Sequence, residues 1–271
     1  MNRIKASSLM AILLAMFALD SQAQQGKLNY WPYREMDFTL SSEYYQWREY
    51  LLDDSLLLTE SGSRWGWGVK EHNYARKLMG VVYEIDLRMY TGRVNYDGKS
   101  QDAAGNFNSV ETKTDYLGGR MMFMAGQRLT APRVDMLGGL EVNSWVRSLR
   151  GARDSAGNYA RGYYEMYRVL AGRAALGSLQ SWQDTQIYFQ AGLKYPLDVM
   201  EFASLDTITL FPRPEPSLFA SVDFLRLCRG PFGYVSVKLA YDSYRFRASK
   251  IEQGFYQPAS QMDAISVTLQ F

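Results

Sequence analysis

Several segments of the sequence alternate between apolar and polar residues, and the charges in them lie on one face only. In the segment 81–89 every odd position holds an apolar residue, while Glu84, Asp86 and Arg88 occupy three of the even positions. Successive side chains of a β-strand point to opposite faces, so this spacing predicts strands with one apolar face and one charged face. Such strands are hard to place in a two-sheet sandwich, whereas they fit a closed barrel with a polar interior and an apolar outer surface.

The segment 265–271 carries the alternation to the last residue. Ile265, Val267, Leu269 and Phe271 are apolar, and a polar residue stands between each of them and the next. This ending resembles that of bacterial outer-membrane β-barrel proteins, whose last strand alternates in the same way and ends in an aromatic residue. The resemblance implies a small Gram-negative outer-membrane barrel, in which these four residues form an assembly signal that the barrel-assembly machinery reads. It implies no particular activity.

The N-terminus has the three parts of a secretory signal peptide. Basic residues occur within 1–5, an apolar run covers 9–19, and small residues precede the peptide bond after Ala23. The apolar run is shorter than the roughly 20 residues that a transmembrane helix needs. We therefore predict export to the cell outer membrane, with a cleaved signal peptide over 1–23, a periplasmic lead-in over 24–36 and a transmembrane β-barrel over 37–271.

Composition excludes several other classes of protein. The 30 basic and 28 acidic residues nearly balance, so no basic surface indicates a nucleic-acid partner. The single cysteine, Cys228, cannot form an internal disulfide, and together with one histidine it leaves too few ligands for a metal site. The glycine pairs at 118–119 and 138–139 fall inside predicted strands, where bends or close strand approach explain them better than a phosphate-binding loop. We expect neither a metal nor a cofactor.

Counting the alternating segments gives an all-β protein, an antiparallel transmembrane β-barrel of about ten strands. Eight strands are the alternative, because two segments alternate poorly. The predicted strands are 37–49, 63–75, 79–96, 112–129, 133–150, 161–174, 184–195, 216–228, 232–248 and 261–271. Short periplasmic turns are expected near 76–78, 130–133, 177–178 and 229–231, and longer extracellular loops over 50–62, 97–111, 151–160, 196–215 and 249–260. This asymmetry is typical of bacterial outer-membrane barrels.

The polar faces of these strands would line the lumen of the barrel. Their charged residues are six acids and six bases, namely Glu43, Lys70, Glu84, Asp86, Arg88, Arg120, Glu141, Arg147, Lys194, Asp223, Lys238 and Asp242. A barrel of eight to ten strands encloses little more space than its own side chains fill, and an unpaired ion there costs several kcal/mol. We therefore predict a charge network that largely plugs the lumen. A narrow water-filled pore, without strong selectivity for either sign of charge, is the alternative.

These features favour a non-enzymatic outer-membrane barrel, either a structural or interaction protein or a narrow porin. An outer-membrane hydrolase or lipid-modifying enzyme is one alternative, in which His72, the only histidine, acts as a base beside an acidic residue. The sequence lacks the Asp-x-His pairing of outer-membrane proteases, and Ser144 does not lie in a G-x-S-x-G elbow. We expect no catalytic residue, with His72 as the one candidate. A soluble periplasmic β-protein of the lipocalin kind is the other alternative.

The predicted loop 196–215 is rich in large apolar residues. It contains Leu197, Val199, Met200, Phe202, Leu205, Ile208, Leu210 and Phe211. An exposed loop rarely carries so many without burying them. Covering the barrel mouth, packing on lipid headgroups, binding an extracellular partner and packing on its own neighbours are all open interpretations. Outer-membrane lipid and the assembly machinery are the other expected partners.

Overall fold

The computed structural model of the protein describes residues 34–73, 80–101, 107–129, 134–182, 185–205, 207–230, 233–252 and 254–271. Those residues form fourteen strands: β1 Arg34–Tyr50, β2 Leu56–Asn73, β3 Val81–Gln101, β4 Phe107–Arg128, β5 Asp135–Leu149, β6 Ala152–Arg153, β7 Tyr159–Ala160, β8 Tyr163–Trp182, β9 Thr185–Ala203, β10 Ile208–Leu210, β11 Arg213–Glu215, β12 Ser217–Gly230, β13 Gly233–Arg247 and β14 Ala259–Gln270. Across these ranges no helix is long and apolar enough to span a membrane. The predicted signal peptide 1–23 lies outside the described residues, while β1 begins within the predicted lead-in 24–36.

Ten long strands form one antiparallel sheet that closes on itself. They are β1–β5, β8, β9 and β12–β14, and the pairing of β1 with β14 completes the ring. At this seam Leu40 lies opposite Leu269, and the backbones of Phe38 and Phe271 exchange hydrogen bonds of 3.1 and 3.0 Å. The prediction of a ten-stranded antiparallel barrel is confirmed, and the eight-stranded alternative is wrong.

The two faces of the barrel wall have opposite character. On β3, Leu87 and Met89 are exposed on the outside, while Glu84 and Asp86 are buried inside. The same division holds around the barrel, whose outward apolar side chains include Phe38, Leu40, Trp65, Trp67, Leu117, Met121, Phe123, Leu140, Leu176, Leu193, Leu239, Ile265, Val267 and Leu269. An exposed apolar surface of this extent is typical of a wall that faces lipid.

The strand ends define two ends of the barrel. The terminal end holds the first residues of β1 and the last residues of β14, and the loop end holds the connections that follow β1, β3, β5, β9 and β13. Two loop-end connections are shorter than predicted, because the strands that flank them are longer. Residues 51–55 join β1 to β2, and the β3–β4 register continues to the pair of Gln101 and Phe107.

The segment 196–215, predicted as a long loop, is mostly strand. β9 continues to Ala203, and the short strands β10 and β11 pair with β9 and β13. The register between β8 and β9 skips Leu197, so that Leu197 and Asp198 are both exposed and the strict alternation breaks there. Beyond this bulge the alternation resumes with the buried Val199. The apolar residues of the segment therefore belong largely to the wall of the barrel.

The short turn predicted at 177–178 is also wrong, since β8 runs through it to Trp182. A Cβ atom at Gly177 would collide with the hydroxyl group of Tyr188. This strand glycine therefore permits the close approach of a buried ring and does not mark a turn. The turns predicted near 76–78 and 130–133 lie outside the described residues.

Replacing Gly139 with Ala is expected to destabilise the barrel by about 1–3 kcal/mol, the usual cost of overpacking. A Cβ atom at Gly139 would overlap the carbonyl oxygen of Phe123 on β4, and backbone cannot move aside as a flexible side chain does. Gly138→Ala is the matched control, because the nearest atom to its Cβ would be the carbonyl oxygen of Arg173 at 4.0 Å. Urea unfolding in detergent measures both variants, and equal midpoints would contradict this account.

Candidate functional site in the lumen

Four buried charges near the terminal end form a ring of alternating sign, which we call the terminal layer. The Nζ atom of Lys70 on β2 lies 3.3 Å from Asp223 on β12 and 3.7 Å from Glu84 on β3. The Nζ atom of Lys238 on β13 lies 2.9 Å from Glu84 and 3.7 Å from Asp223. Gln270 on β14 donates a hydrogen bond of 2.8 Å to Asp223. Because each charge has two partners of opposite sign, the layer is electrically balanced.

The next charges toward the loop end form the central layer. Glu141 on β5 accepts hydrogen bonds from Arg173 on β8 and Tyr244 on β13, and lies 3.5 Å from the Nζ atom of Lys194 on β9. The same Nζ atom lies 2.5 Å from Asp242 on β13 and 3.3 Å from the ring centroid of Tyr244. Two acids and two bases thus meet in one buried group.

Arg120 on β4 extends the central layer across the lumen by contacting acids on two other strands. Its guanidinium lies 2.7 Å from Asp86 on β3 and 3.2 Å from Asp242 on β13. Arg88 is a second partner of Asp86, at 3.3 Å. In the ten-stranded ring β4 and β13 are five strands apart, so the bond between Arg120 and Asp242 joins opposite walls.

Polar aromatic side chains lie between the central layer and the loop end. The guanidinium of Arg64 on β2 lies 2.6 Å from Glu43 and 3.7 Å from the ring centroid of Tyr45. The hydroxyl group of Tyr45 on β1 donates a hydrogen bond of 3.1 Å to that of Tyr116 on β4, which in turn donates to Glu60 on β2. This group of side chains fills the lumen with aromatic rings whose polar atoms are hydrogen-bonded.

The loop layer is centred on Arg147 of β5. Its guanidinium lies 2.9 Å from Glu49 on β1 and 2.6 Å from Glu165 on β8. The rings around it are Trp47, Trp145, Tyr167 and Phe246, and all four are buried. The rings of Trp47 and Tyr167 come from β1 and β8, which are opposite strands, and their centroids are 5.3 Å apart. Aromatic packing therefore closes the lumen at this level.

Charge is distributed unevenly along the lumen. The carboxylates of Glu49, Glu60, Glu165 and Glu201 are buried near the loop end around one guanidinium, that of Arg147. The terminal and central layers instead contain acids and bases in similar number. Of the three layers formed by the described residues, the loop layer is the one in which acidic groups exceed basic ones.

A short hairpin lies over the loop layer. Ala152 of β6 pairs with Ala160 of β7, and both pack against the buried aromatic cluster. The Asp154 carboxylate accepts hydrogen bonds from the backbone amide of Asn158 at 2.8 Å and from the hydroxyl group of Ser100 at 3.0 Å. Desolvation opposes ionisation, but these hydrogen bonds outweigh it and hold the pKa of Asp154 below its usual value. The hairpin is thereby fixed to β3.

The structure brings the predicted charges together. All twelve point into the lumen, and each has an ion-pair partner within the described residues: Glu43, Lys70, Glu84, Asp86, Arg88, Arg120, Glu141, Arg147, Lys194, Asp223, Lys238 and Asp242. The residues predicted as an assembly signal, Ile265, Val267, Leu269 and Phe271, lie on the outer face of β14 and just after it.

Sequence reasoning missed other inward charges, among them Glu49, Glu60, Arg64, Arg128, Asp135, Glu165, Arg173 and Glu201. Arg64 shares its face with glycines, which hide the alternation, and Glu201 lies beyond the bulge at Leu197. On the inward face of β8, the positions next to Arg173 are the small residues Ala171, Ala175 and Gly177. The signal available in the sequence was separation by an even number of residues, which places Glu165 and Arg173 on the same face of one strand.

His72 lies near the terminal end and only 1% of its surface is exposed. Its Nδ1 atom is 3.7 Å from the carboxylate of Asp37. Ser144 on β5 lies toward the loop end and is not a neighbour of His72. Its hydroxyl group donates a hydrogen bond of 3.0 Å to the backbone oxygen of Tyr167. His72 therefore has an acidic neighbour and is almost fully buried, which favours a hydrogen-bonded lumen residue over a catalytic base. Among the described residues, no group of His, Cys, Asp and Glu side chains is arranged to hold a metal ion.

No protein-family model and no curated protein sequence matches the chain. Among solved structures, the outer membrane protease OmpT from Escherichia coli is similar, with a TM-score of 0.55 and 12% identity over 91% of this chain and 98% of that one. The β domain of the Bordetella autotransporter BrkA has a TM-score of 0.43 and 13% identity over 87% and 99% of the two chains. The translocator domain of the autotransporter NalP from Neisseria meningitidis has a TM-score of 0.39 and 11% identity over 98% and 96%.

The chain therefore has the fold of a bacterial outer-membrane β-barrel. At 12% identity the likeness to OmpT shows this fold alone, and a shared fold does not transfer an activity. The resemblance inferred from the last strand is confirmed at that level.

Replacing Glu141 with Ala is expected to destabilise the barrel by about 3–5 kcal/mol, because two buried cations, those of Arg173 and Lys194, lose a partner. Asp198→Ala is the matched control. Asp198 pairs with Arg168 at 3.3 Å on the exposed outer surface, where such a pair contributes about 0–1 kcal/mol. Urea unfolding midpoints measure the difference, and similar losses in the two variants would count against a buried ionic network.

Proposed function

We propose that the protein is a non-enzymatic outer-membrane barrel with a closed lumen, acting as a structural or interaction protein. The proposal includes export through a cleaved signal peptide over 1–23 and residence in the outer membrane. Its main support is one observation: side chains from opposite strands contact each other across the lumen at more than one level.

Two contacts illustrate the closure. Arg120 and Asp242 join β4 to β13 at 3.2 Å, and Trp47 meets Tyr167 between β1 and β8. A hydrated ion moving along the axis would have to separate both contacts. Separating the ionic one leaves two charges in a poorly hydrated site, which costs several kcal/mol. A closed barrel therefore fits the geometry better than a narrow porin.

The outer surface supports an interaction role at the loop end. Beyond the apolar band, the outward residues of β3 and β4 are polar or charged except for Phe107. Asp115 of β4 pairs with Arg93 at 2.6 Å and with Arg150 at 2.8 Å. These side chains are about half exposed. β3 and β4 therefore project past the lipid-facing band and present a polar surface that is available to a partner.

A barrel of this kind is expected to give no unitary conductance steps in a planar bilayer, because the cross-lumen contacts block an ion path. A general-diffusion porin in the same bilayer is the positive control. If wild-type protein gave steps that changed in the interior variant Arg120→Ser/Asp242→Ser and not in the outer-surface variant Arg168→Ser/Asp198→Ser, the lumen would be a narrow porin. Release of the protein from membranes by alkaline carbonate would instead favour the soluble alternative.

The enzyme alternative depends on His72 and Asp37, whose side chains are neighbours. The wild-type protein and the His72→Ala variant are expected to show equal, blank-level hydrolysis of peptide and phospholipid-ester substrates, because the imidazole is only 1% exposed. Heat-dependent migration on gels verifies that the variant forms a barrel. Hydrolysis by the wild type that disappears in a correctly folded His72→Ala protein would establish an enzyme.

A further inference from the structure

A cavity of about 60 Å³ lies in the lumen beside the central layer. Residues from all ten long strands line it, so that the barrel wall surrounds it laterally. A buried water needs about 10–15 Å³ of such space, which makes room here for about four to six waters or one anion of similar size. An outer-membrane lipid headgroup cannot enter, because its acyl chains would have to cross the wall.

The wall of this cavity is mainly cationic. Its charged lining residues are five bases, Arg64, Arg88, Arg120, Arg173 and Lys238, and two acids, Glu43 and Asp242. The acids that pair with most of these bases, among them Asp86 and Glu141, are not lining residues. Arg88 and Lys238 therefore have their acidic partners behind the cavity surface, whereas Glu43 lines the cavity beside Arg64 and Asp242 lines it beside Arg120. The lining still contains more positive than negative groups.

Several donors of the lining residues have no acceptor among the described residues. The Nε atoms of Arg88, Arg120 and Arg173 are buried without a hydrogen-bond partner there, and so is the hydroxyl group of Ser221. A buried donor without an acceptor is costly. The guanidinium of Arg173 lies 3.7 Å from the ring centroid of Phe219, another lining residue, which holds it in position. Positioned guanidinium groups are the donors best suited to oxyanions.

We propose that the cavity binds one small inorganic anion, of the size of phosphate or sulfate. The anion would accept hydrogen bonds from guanidinium groups that belong to several strands, and so link them from within. The proposal does not depend on whether the barrel is closed, because it concerns one enclosed site and no transport.

The thermal unfolding midpoint of the purified protein in detergent tests the proposal. Sodium phosphate or sulfate is titrated against sodium gluconate at constant ionic strength, since gluconate is too large for the cavity. We expect a saturable rise of about 5 °C or more at an anion concentration a hundredfold above Kd. A rise no greater in phosphate and sulfate than in gluconate would overturn the proposal and leave a cavity that holds only water.

Two variants localise the effect. Arg88→Gln removes one donor while Asp86 keeps Arg120 at 2.7 Å, so the barrel should still fold, and Ser221→Ala removes only a hydroxyl group. We expect at least tenfold weaker binding in Arg88→Gln and a smaller loss in Ser221→Ala. Arg168→Gln removes an outer-surface guanidinium and should respond like the wild type. Equal responses of Arg88→Gln, Ser221→Ala and Arg168→Gln would place the anion elsewhere.

Crystals grown with selenate give a direct measurement that needs no variant. An anomalous difference peak inside the lumen, next to Arg88 and Arg173, is the expected result. A thermal shift without such a peak would also overturn the proposal, since the anion would then act outside this cavity.

Discussion

Peptide groups in a hydrocarbon layer cannot bond to water, and each one left unpaired costs several kcal/mol. This constraint explains why β1 and β14 must pair, as they do from Thr39 and Gln270 to Tyr50 and Ala259. An open sheet would present two rows of unpaired groups to lipid. Once the ring is closed, every strand has one face toward lipid and one toward a narrow lumen, so the placement of charges follows from closure.

The narrow lumen in turn determines how those charges are used. A one-residue slip of β3 would turn Glu84 and Asp86 outward into lipid, so these residues specify the register of the strand. Several of the buried ion pairs join residues that are distant in the sequence, such as Lys70 and Asp223. The ionic layers therefore connect strands that are not neighbours in the sheet, which backbone pairing cannot do.

Much of this arrangement could be predicted from the sequence, because alternation and charge placement report directly on the two environments of a barrel wall. The ten strands and the inward position of residues such as Glu141 followed from that period of two. The failures occurred where local structure interrupts the period, as at the bulge of Leu197, or where glycine replaces a side chain, as at Gly177. Which acid meets which base depends on strand tilt and side-chain length, and neither is visible in a single strand.

The hydrogen bond from Gln270 to Asp223 also links the closure of the wall to the interior. Gln270 belongs to the last strand, whereas the other members of the terminal layer come from β2, β3, β12 and β13. The layer can be completed only when β14 has taken its place between β13 and β1. Until then, Asp223 lacks one of its donors, and water can still reach it through the unclosed seam. Pairing of β14 with β1 and β13 thus closes the wall and excludes water from the terminal layer together.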